Sequence, residues 1–254
     1  MGLKKAIKDT VEYAANFGSY INKNEIKERL ISQKIFSKKE INKLLKQYKN
    51  KKNKWYKQKF NRAMVLAKQI ENDFKDILFL GISGSVASGH PKKNDDIDLL
   101  IITKTNKLWK TRLGLRWWIF KKRLPHRKYN QKERKNEFCF NLWLESNYLL
   151  LPKNRHNLKN SVDLMLLKPL INKGRIYEKF ILTNDWAKKW VATPYKNKMS
   201  NFQFLMSNEK QRINKLDKIT NYLYFWPQYW YMKRKIKGET IGLHQAFFLR
   251  QMVK

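Results

Sequence analysis

One segment of the chain, residues 77–103, constrains the fold more than any other because it places a glycine-rich connection between two apolar runs. Residues 77–82 form a continuous apolar run, which is typical of a buried strand. Residues 97–103 form a second run of the same kind, and a stretch rich in glycine and serine lies between the two. The segment therefore predicts two buried strands joined by a glycine-rich turn and a short helix.

The connection between these strands carries residues that could bind a phosphate group or a metal ion. Gly84 can let a phosphate approach the backbone, Ser85 can donate a hydrogen bond, and the start of the short helix adds free N–H groups. Asp96 and Asp98 follow at the start of the second strand, where positions two apart share one face. Adjacent carboxylates repel each other unless a cation lies between them, and oxygen ligands at this spacing suit Mg²⁺. The pattern predicts metal-assisted nucleotidyl transfer, whereas Asp95 points to the other face, as a cap or a solvated acid.

This arrangement resembles the nucleotidyltransferases of the DNA polymerase β-like superfamily. Gly84-Ser85 and Asp96-Ile97-Asp98 match the signature of that superfamily in order, spacing and predicted strand context. A closer similarity is to uncharacterised bacterial members, which share a Leu-Trp-x-x-Arg motif like residues 108–112 and a segment like residues 167–170. The motif match covers about residues 77–112, and the looser similarity extends over most of the chain.

The resemblance implies a Mg²⁺-dependent transferase that moves a nucleoside monophosphate from a nucleoside triphosphate to an acceptor hydroxyl. Gly84 and Ser85 would hold the β- and γ-phosphates, and Asp96 and Asp98 would bind two Mg²⁺ ions. Arg112, on the helix after the second strand, is either a further phosphate ligand or a solvated helix charge.

A third carboxylate on a later strand is usual in this superfamily, and here the sequence departs from the pattern. Residues 138–144 alternate like a strand, and Asn141, Trp143 and Glu145 share one face. We expect Glu145 to complete the set from the strand end, with Asp163 as a remoter option. If Asn141 holds the third position, a neutral amide replaces the acid, and the chain is instead a catalytically impaired protein that binds nucleotide or nucleic acid in a regulatory role.

The remaining pattern predicts an α/β (α+β) protein whose nucleotidyltransferase core has a mixed β-sheet backed by helices. Residues 55–150 contain this core with its leading helix, after a small helical module at residues 1–54. Residues 151–254 form a helical region, since only helical patterning follows Asn160.

Three short helices in the first fifty residues, followed by a run of lysines, resemble a winged helix-turn-helix. A trihelical packing module with a solvated basic edge is the alternative. The lysines that would form the wing are Lys49, Lys51, Lys52 and Lys54.

Charge sets the expected partners. The chain has 56 Lys and Arg against 20 Asp and Glu, which gives a formal net charge of +36. Such a field attracts nucleic acid, which makes nucleic acid a plausible acceptor. Protein and small-molecule acceptors stay open. With 42% apolar residues the chain can bury a core, so wholesale disorder is excluded.

Compartment and membrane contact follow from the absence of certain patterns. The single cysteine, Cys139, excludes an internal disulfide framework and fits a reducing compartment. Met1 to Lys8 has no apolar region or cleavage site after it, so we expect no signal peptide and a cytoplasmic protein. The aromatic residues 222–232 favour a buried helix over a helix lying at a membrane interface, so a membrane partner is not expected.

Overall fold

The computed structural model describes residues 2–48, 53–127, 134–202, 215–234, 236 and 238–248. Over this part of the chain the protein is mixed α/β, with a single six-stranded sheet and ten α-helices. The strands are β1 (Ile77–Ile82), β2 (Ile97–Thr103), β3 (Phe138–Glu145), β4 (Lys168–Asn172), β5 (Thr240–Ile241) and β6 (Gln245–Phe247). The helices are α1 (Leu3–Asn16), α2 (Lys23–Arg29), α3 (Lys38–Leu44), α4 (Lys54–Asp73), α5 (Gly84–Ala87), α6 (Leu108–Lys121), α7 (Leu158–Leu166), α8 (Ile176–Thr183), α9 (Lys188–Ser200) and α10 (Lys215–Lys233).

The sheet has the strand order β4-β1-β2-β3-β6-β5 and is mixed. Strands β2 and β3 are parallel, with Asp98 opposite Cys139 and Thr103 opposite Glu145. The other neighbouring pairs are antiparallel. The C-terminal end of β1 and the N-terminal ends of β2 and β3 therefore meet at one edge of the sheet. This register confirms the predicted α/β class with a mixed sheet.

Helices pack on the sheet through their apolar faces. Helix α4 buries Ala63, Leu66, Ala67 and Ile70, which recur at helical spacing, and it contacts β1 and β4. Helix α6 contacts β2 and β3, and α10 packs on α6. The strands and these helices share one hydrophobic core.

The first 48 residues form three helices around their own small core. Asn22 and Ser37 each close a capping box at the start of α2 and α3. The link between them docks on α9, where Ser32 N–H donates to Trp190 O at 2.7 Å and Ala192 N–H donates to Ser32 O at 2.9 Å. This module therefore packs against the C-terminal helices.

The predicted wing falls mostly outside the described residues. Lys49, Lys51 and Lys52 lie outside them, and Lys54 is the exposed first residue of α4. DNA binding by this module stays a prediction.

The expectation of purely helical structure after Asn160 was wrong, because β4, β5 and β6 lie in that region. Strand β4 is an edge strand that contains Pro169 and has a mixed burial pattern. A segment that contains a proline and lacks regular alternation of apolar residues is not recognisable as a strand from its sequence. Strands β5 and β6 have two and three residues, which is too short for a period to register. The sheet therefore spans the predicted boundary at residue 150.

Helix α10 carries the aromatic stretch, and its burial differs from the expectation. Phe225 and Met232 are buried against the core, whereas Leu223, Trp230 and Tyr231 are more than 60% exposed. In the described part of the chain, no helix combines the length and the apolar character needed to cross a bilayer.

Candidate metal and nucleotide site

The glycine-rich turn after β1 lies directly against the second aspartate of the pair. Ser83 N–H donates to Asp98 O at 2.9 Å, and Gly84 then opens α5 with φ of +65°. A β-carbon at Gly84 would collide with the Asp98 carboxylate. Position 84 therefore requires glycine for two reasons, the left-handed backbone conformation and the close approach of Asp98. Ser85 follows in the same turn and is partly exposed.

Asp96 and Asp98 come together at the start of β2, as the spacing predicts. The Asp96 side chain is 3% exposed, and Arg127 Nη1 donates to its Oδ2 at 2.9 Å. Asp98 is partly buried, and its Oδ1 accepts from Asn141 Nδ2 at 2.6 Å. The ligand atoms of Asp96, Asp98 and Cys139 all lie within 4.8 Å of one another. Asp95 turns away and accepts from Lys92 N–H at 2.9 Å, as a cap.

Asn141 and Cys139 on β3 occupy the place beside Asp98. Cys139 Sγ donates to Asn141 Oδ1 at 2.6 Å, and this fixes the amide so that its nitrogen faces Asp98. Burial, together with the negative charges of Asp98 and Asp96, raises the pKa of the Cys139 thiol, so it stays protonated. The neighbours of the aspartate pair on β3 are therefore a neutral amide and a neutral thiol.

Glu145 does not join the aspartate pair, which corrects the expectation from the sequence. It lies six residues further along β3 than Cys139, a separation of about 20 Å along a strand. Its carboxylate is fully buried and accepts from Leu108 N–H at 3.3 Å and Asn221 Nδ2 at 2.9 Å, with His244 Nδ1 at 2.8 Å. The predicted shared face was also wrong, because the register with β2 shifts by one residue at Asn141. Glu145 pairs with Thr103, five residues beyond Asp98 on β2, and therefore lies on the opposite face of the sheet. Asp163, the remoter option, pairs with Lys159 on the exposed side of α7.

Arg112 is also directed elsewhere, and neither of its two predicted roles describes it. The side chain is 7% exposed, so it is not a solvated helix charge. Its Nη1 donates to Gln228 Oε1 at 2.6 Å, and the guanidinium lies 4.6 Å from the ring centre of Phe248. Burial, with Arg116 nearby, lowers the pKa of Arg112. These contacts join α6 to α10 and to the end of β6.

Two cations near the pair were missed by reasoning from the sequence. Arg127 lies in a charged loop, where nothing in the sequence distinguishes it from its neighbours. Lys59 gave a signal, because it falls on the apolar face of α4 one turn before Ala63. Its side chain is fully buried, and Nζ donates to the main-chain oxygens of Lys93 and Asp95 and to Asn136 Oδ1. Burial lowers the pKa of Lys59, while Asp95 and Asp96 act in the opposite direction.

The donor set fits a hard divalent cation held by two carboxylates. Asp96 and Asp98 offer oxygens at ligand separation, and the Arg127 guanidinium already supplies a positive charge to Asp96. Asn141 would have to rotate its amide to offer an oxygen, and the Cys139 thiol is a ligand for softer metals. Asp96 and Asp98 could therefore hold one such cation, and a second ion would need oxygens from another source.

No protein-family model, curated protein or solved structure matches this chain.

Proposed function

We propose that the chain is a Mg²⁺-dependent nucleotidyltransferase built on a nucleotidyltransferase core. The observation that carries the proposal is the contact between the Gly84 turn and the Asp98 carboxylate, with Asp96 beside it. This contact puts a glycine turn directly against a pair of carboxylates at metal-ligand separation, an arrangement that suits metal-assisted transfer of a nucleoside monophosphate. The motif and its spacing, together with the flanking strands, support the same assignment.

Each residue of the site would have a distinct role in nucleotidyl transfer. Gly84 and Ser85 would hold the triphosphate. Asp96 and Asp98 would hold Mg²⁺, which when bound polarises the phosphoryl oxygens and lowers the pKa of the acceptor hydroxyl. Arg127 would exchange its bond to Asp96 for contact with the phosphates at that point.

The proton of the acceptor hydroxyl needs a destination, and Asn141 cannot take it. A neutral amide has no basic lone pair for a proton at neutral pH. Within the described residues around the pair, the Asp98 carboxylate is the base closest to the Gly84 turn. The proton would therefore pass to Asp98 or to water, and we expect slower transfer than a third carboxylate would allow.

The test is transfer of label from α-labelled nucleoside triphosphates, with Mg²⁺, to RNA, DNA, protein and small-molecule acceptors. Asp96→Asn and Asp98→Asn should each lower transfer by at least about 100-fold, the upper range for loss of residues that merely orient metal ligands. Asp95→Asn is the matched control, because the adjacent acid caps a turn and should leave the rate nearly unchanged. Transfer that survives the double variant contradicts the assignment.

Asn141 favours a second candidate, a catalytically impaired relative that binds nucleotide or nucleic acid without turnover. It predicts Mg²⁺-dependent triphosphate binding with no label transfer, and polynucleotide binding that weakens steeply with salt, given the net charge of +36. Asn141→Asp separates the two candidates when the wild type binds triphosphate but does not transfer. Label transfer by the variant would identify the missing carboxylate as the limiting group, whereas a continued absence of transfer would favour the binding role.

A further inference from the structure

A cavity of about 560 Å³ lies between the N-terminal module and the C-terminal helices. Helices α2 and α3 form one wall, and β4, α8 and α9 form the other. This volume is within the range of pockets that hold small organic ligands.

The cavity is positively charged. Lys27, Lys38, Lys168 and Lys198 line it, and among the described lining residues Glu28 is the one acid. Glu28 is already engaged, because Lys168 Nζ lies 2.9 Å from its Oε2. The remaining three ammonium groups have no carboxylate in the lining to balance them. Apolar side chains such as Ile41 and Leu167 complete the walls.

Lys198 is held by a phenol instead of an acid. Its Nζ donates to Tyr177 Oη at 2.7 Å. Tyr177 is 6% exposed and stacks on Phe79 of β1, with ring centres 5.7 Å apart, so its position is fixed by the core. Burial and the neighbouring Lys168 lower the pKa of Lys198 to about 8, against the opposing effect of Glu28. An anion placed here would remove that penalty on the charged form.

The cavity is distinct from the aspartate site but lies at the same edge of the sheet. Lys168 pairs with Ile82 of β1, and Ile82 pairs on its other side with Leu99 of β2. Two strand spacings, about 10 Å, therefore separate the start of β4 from the start of β2.

We propose that this cavity binds a small phosphorylated organic molecule, with its phosphate on Lys198 and the neighbouring lysines and its organic part against the apolar wall. Several ammonium groups around one cavity match a group with more than one negative charge, and lysine binds phosphate as a point charge. The apolar side chains of the wall favour a ligand that has an organic part in addition to its phosphate. This proposal does not depend on nucleotidyl transfer, since it uses none of the residues of the aspartate site.

The probe is phenyl phosphate, titrated into the full chain by calorimetry at pH 7.5. We expect saturable binding that Lys198→Met and Lys168→Met each weaken by about tenfold or more, the usual cost of losing a charge-assisted hydrogen bond. Lys110→Met, on the exposed side of α6, is the control for the general positive field and should bind like the wild type. Phenol and benzoate provide the neutral and the carboxylate counterparts of the probe.

The pH dependence gives a readout that loss of structure would not imitate. Between pH 7 and 9 the phosphate stays doubly charged, so the wild-type affinity should fall as Lys198 loses its proton, and Lys198→Met should show a flat profile. No binding of phenyl phosphate, equal binding by Lys198→Met, or equal affinity for phenol would each overturn the proposal. Equal affinity for benzoate would overturn the assignment to phosphate.

Discussion

Buried acidic side chains lie at both ends of the parallel strand pair β2 and β3, and the two ends stabilise them in different ways. At the far end, Glu145 accepts from a main-chain N–H and a side-chain amide and contacts His244, so three separate elements meet on one carboxylate. At the near end, Asp96 and Asp98 lie beside each other, with Arg127 and Asn141 as partners. The first arrangement joins parts of the fold, and the second concentrates like charge at a glycine turn.

Glu145 and the aspartate pair differ in what stabilises their negative charge. Leu108 is the first residue of α6, so its N–H and the helix dipole stabilise the Glu145 carboxylate without any added cation. The aspartate pair instead repels itself and depends on a positive charge from outside the sheet. Burial alone does not distinguish these cases, because Glu145 and Asp96 are both almost completely buried.

The largest expected effect is loss of stability from Glu145→Ala. The change leaves the Leu108 N–H, Asn221 and His244 without their common acceptor, so we expect a loss of about 3–5 kcal/mol, as when a buried charged network loses one member. Urea unfolding measures it. Glu145→Gln should lose less because it keeps an oxygen acceptor, and Glu12→Ala on the exposed side of α1 should lose almost nothing. A loss below about 1 kcal/mol for Glu145→Ala would contradict the structural role.

Lys59→Met should have the next largest effect, because Lys59 links α4 to the loop that leads into the aspartate pair. Its removal takes the ammonium donor away from the oxygens of Lys93, Asp95 and Asn136, although Asp95 O still accepts from Asn136 N–H, and removal of a buried ammonium partly offsets the loss. We expect about 2 kcal/mol less stability in urea unfolding and weaker Mg²⁺ binding by calorimetry. Lys57→Met, exposed on the same helix, is the control. Unchanged Mg²⁺ affinity would show that Lys59 does not position the loop.

The sequence predicted the near end far better than the far end, and the reason is locality. The turn and Asp96 and Asp98 lie within fifteen residues of Gly84, so their contacts depend on one strand, one turn and the period of the next strand. Glu145 meets Asn221 and His244 from segments 76 and 99 residues away. No periodicity reports such contacts, and the two short strands that bring His244 there have no pattern of their own. Its predicted place on the face of Asn141 was wrong, because the register of β3 shifts by one residue at Asn141, and alternation in the sequence does not report such a shift.

A pH effect on the Glu25–His90 pair should be smaller, and it extends the comparison to a carboxylate that is only partly buried. Glu25 Oε2 lies 2.8 Å from His90 Nε2, as Glu145 lies from His244, but its side chain is 17% exposed. Burial alone would raise the pKa of Glu25, yet the bonds from His90 and Asn22 N–H and the charges of His90 and Arg29 lower it below its usual value.

The sign follows from this lowered pKa. The ionised Glu25 stabilises the fold at pH values above the unfolded pKa, and this contribution is lost as pH falls through the folded value. We expect Glu25→Gln to cost about 1 kcal/mol at pH 6 and progressively less in urea unfolding at lower pH, as the carboxylate becomes protonated. A cost that persists in full at the lower pH would show that shape, and not charge, sustains the contact.

The smallest effect on stability should come from Asp98→Asn, although this change should abolish metal binding. An asparagine keeps an oxygen to accept from Asn141 Nδ2, and it removes the repulsion between Asp98 and Asp96. Without metal we therefore expect the free energy of unfolding to change by less than about 0.5 kcal/mol, or to rise slightly. Added Mg²⁺ should then raise the melting temperature of the wild type and leave that of the variant unchanged, because only the wild type binds the ion in its folded state. A variant as unstable as Glu145→Ala would mean that the aspartates hold the fold together, as Glu145 does, and the two ends of the strand pair would no longer differ in kind.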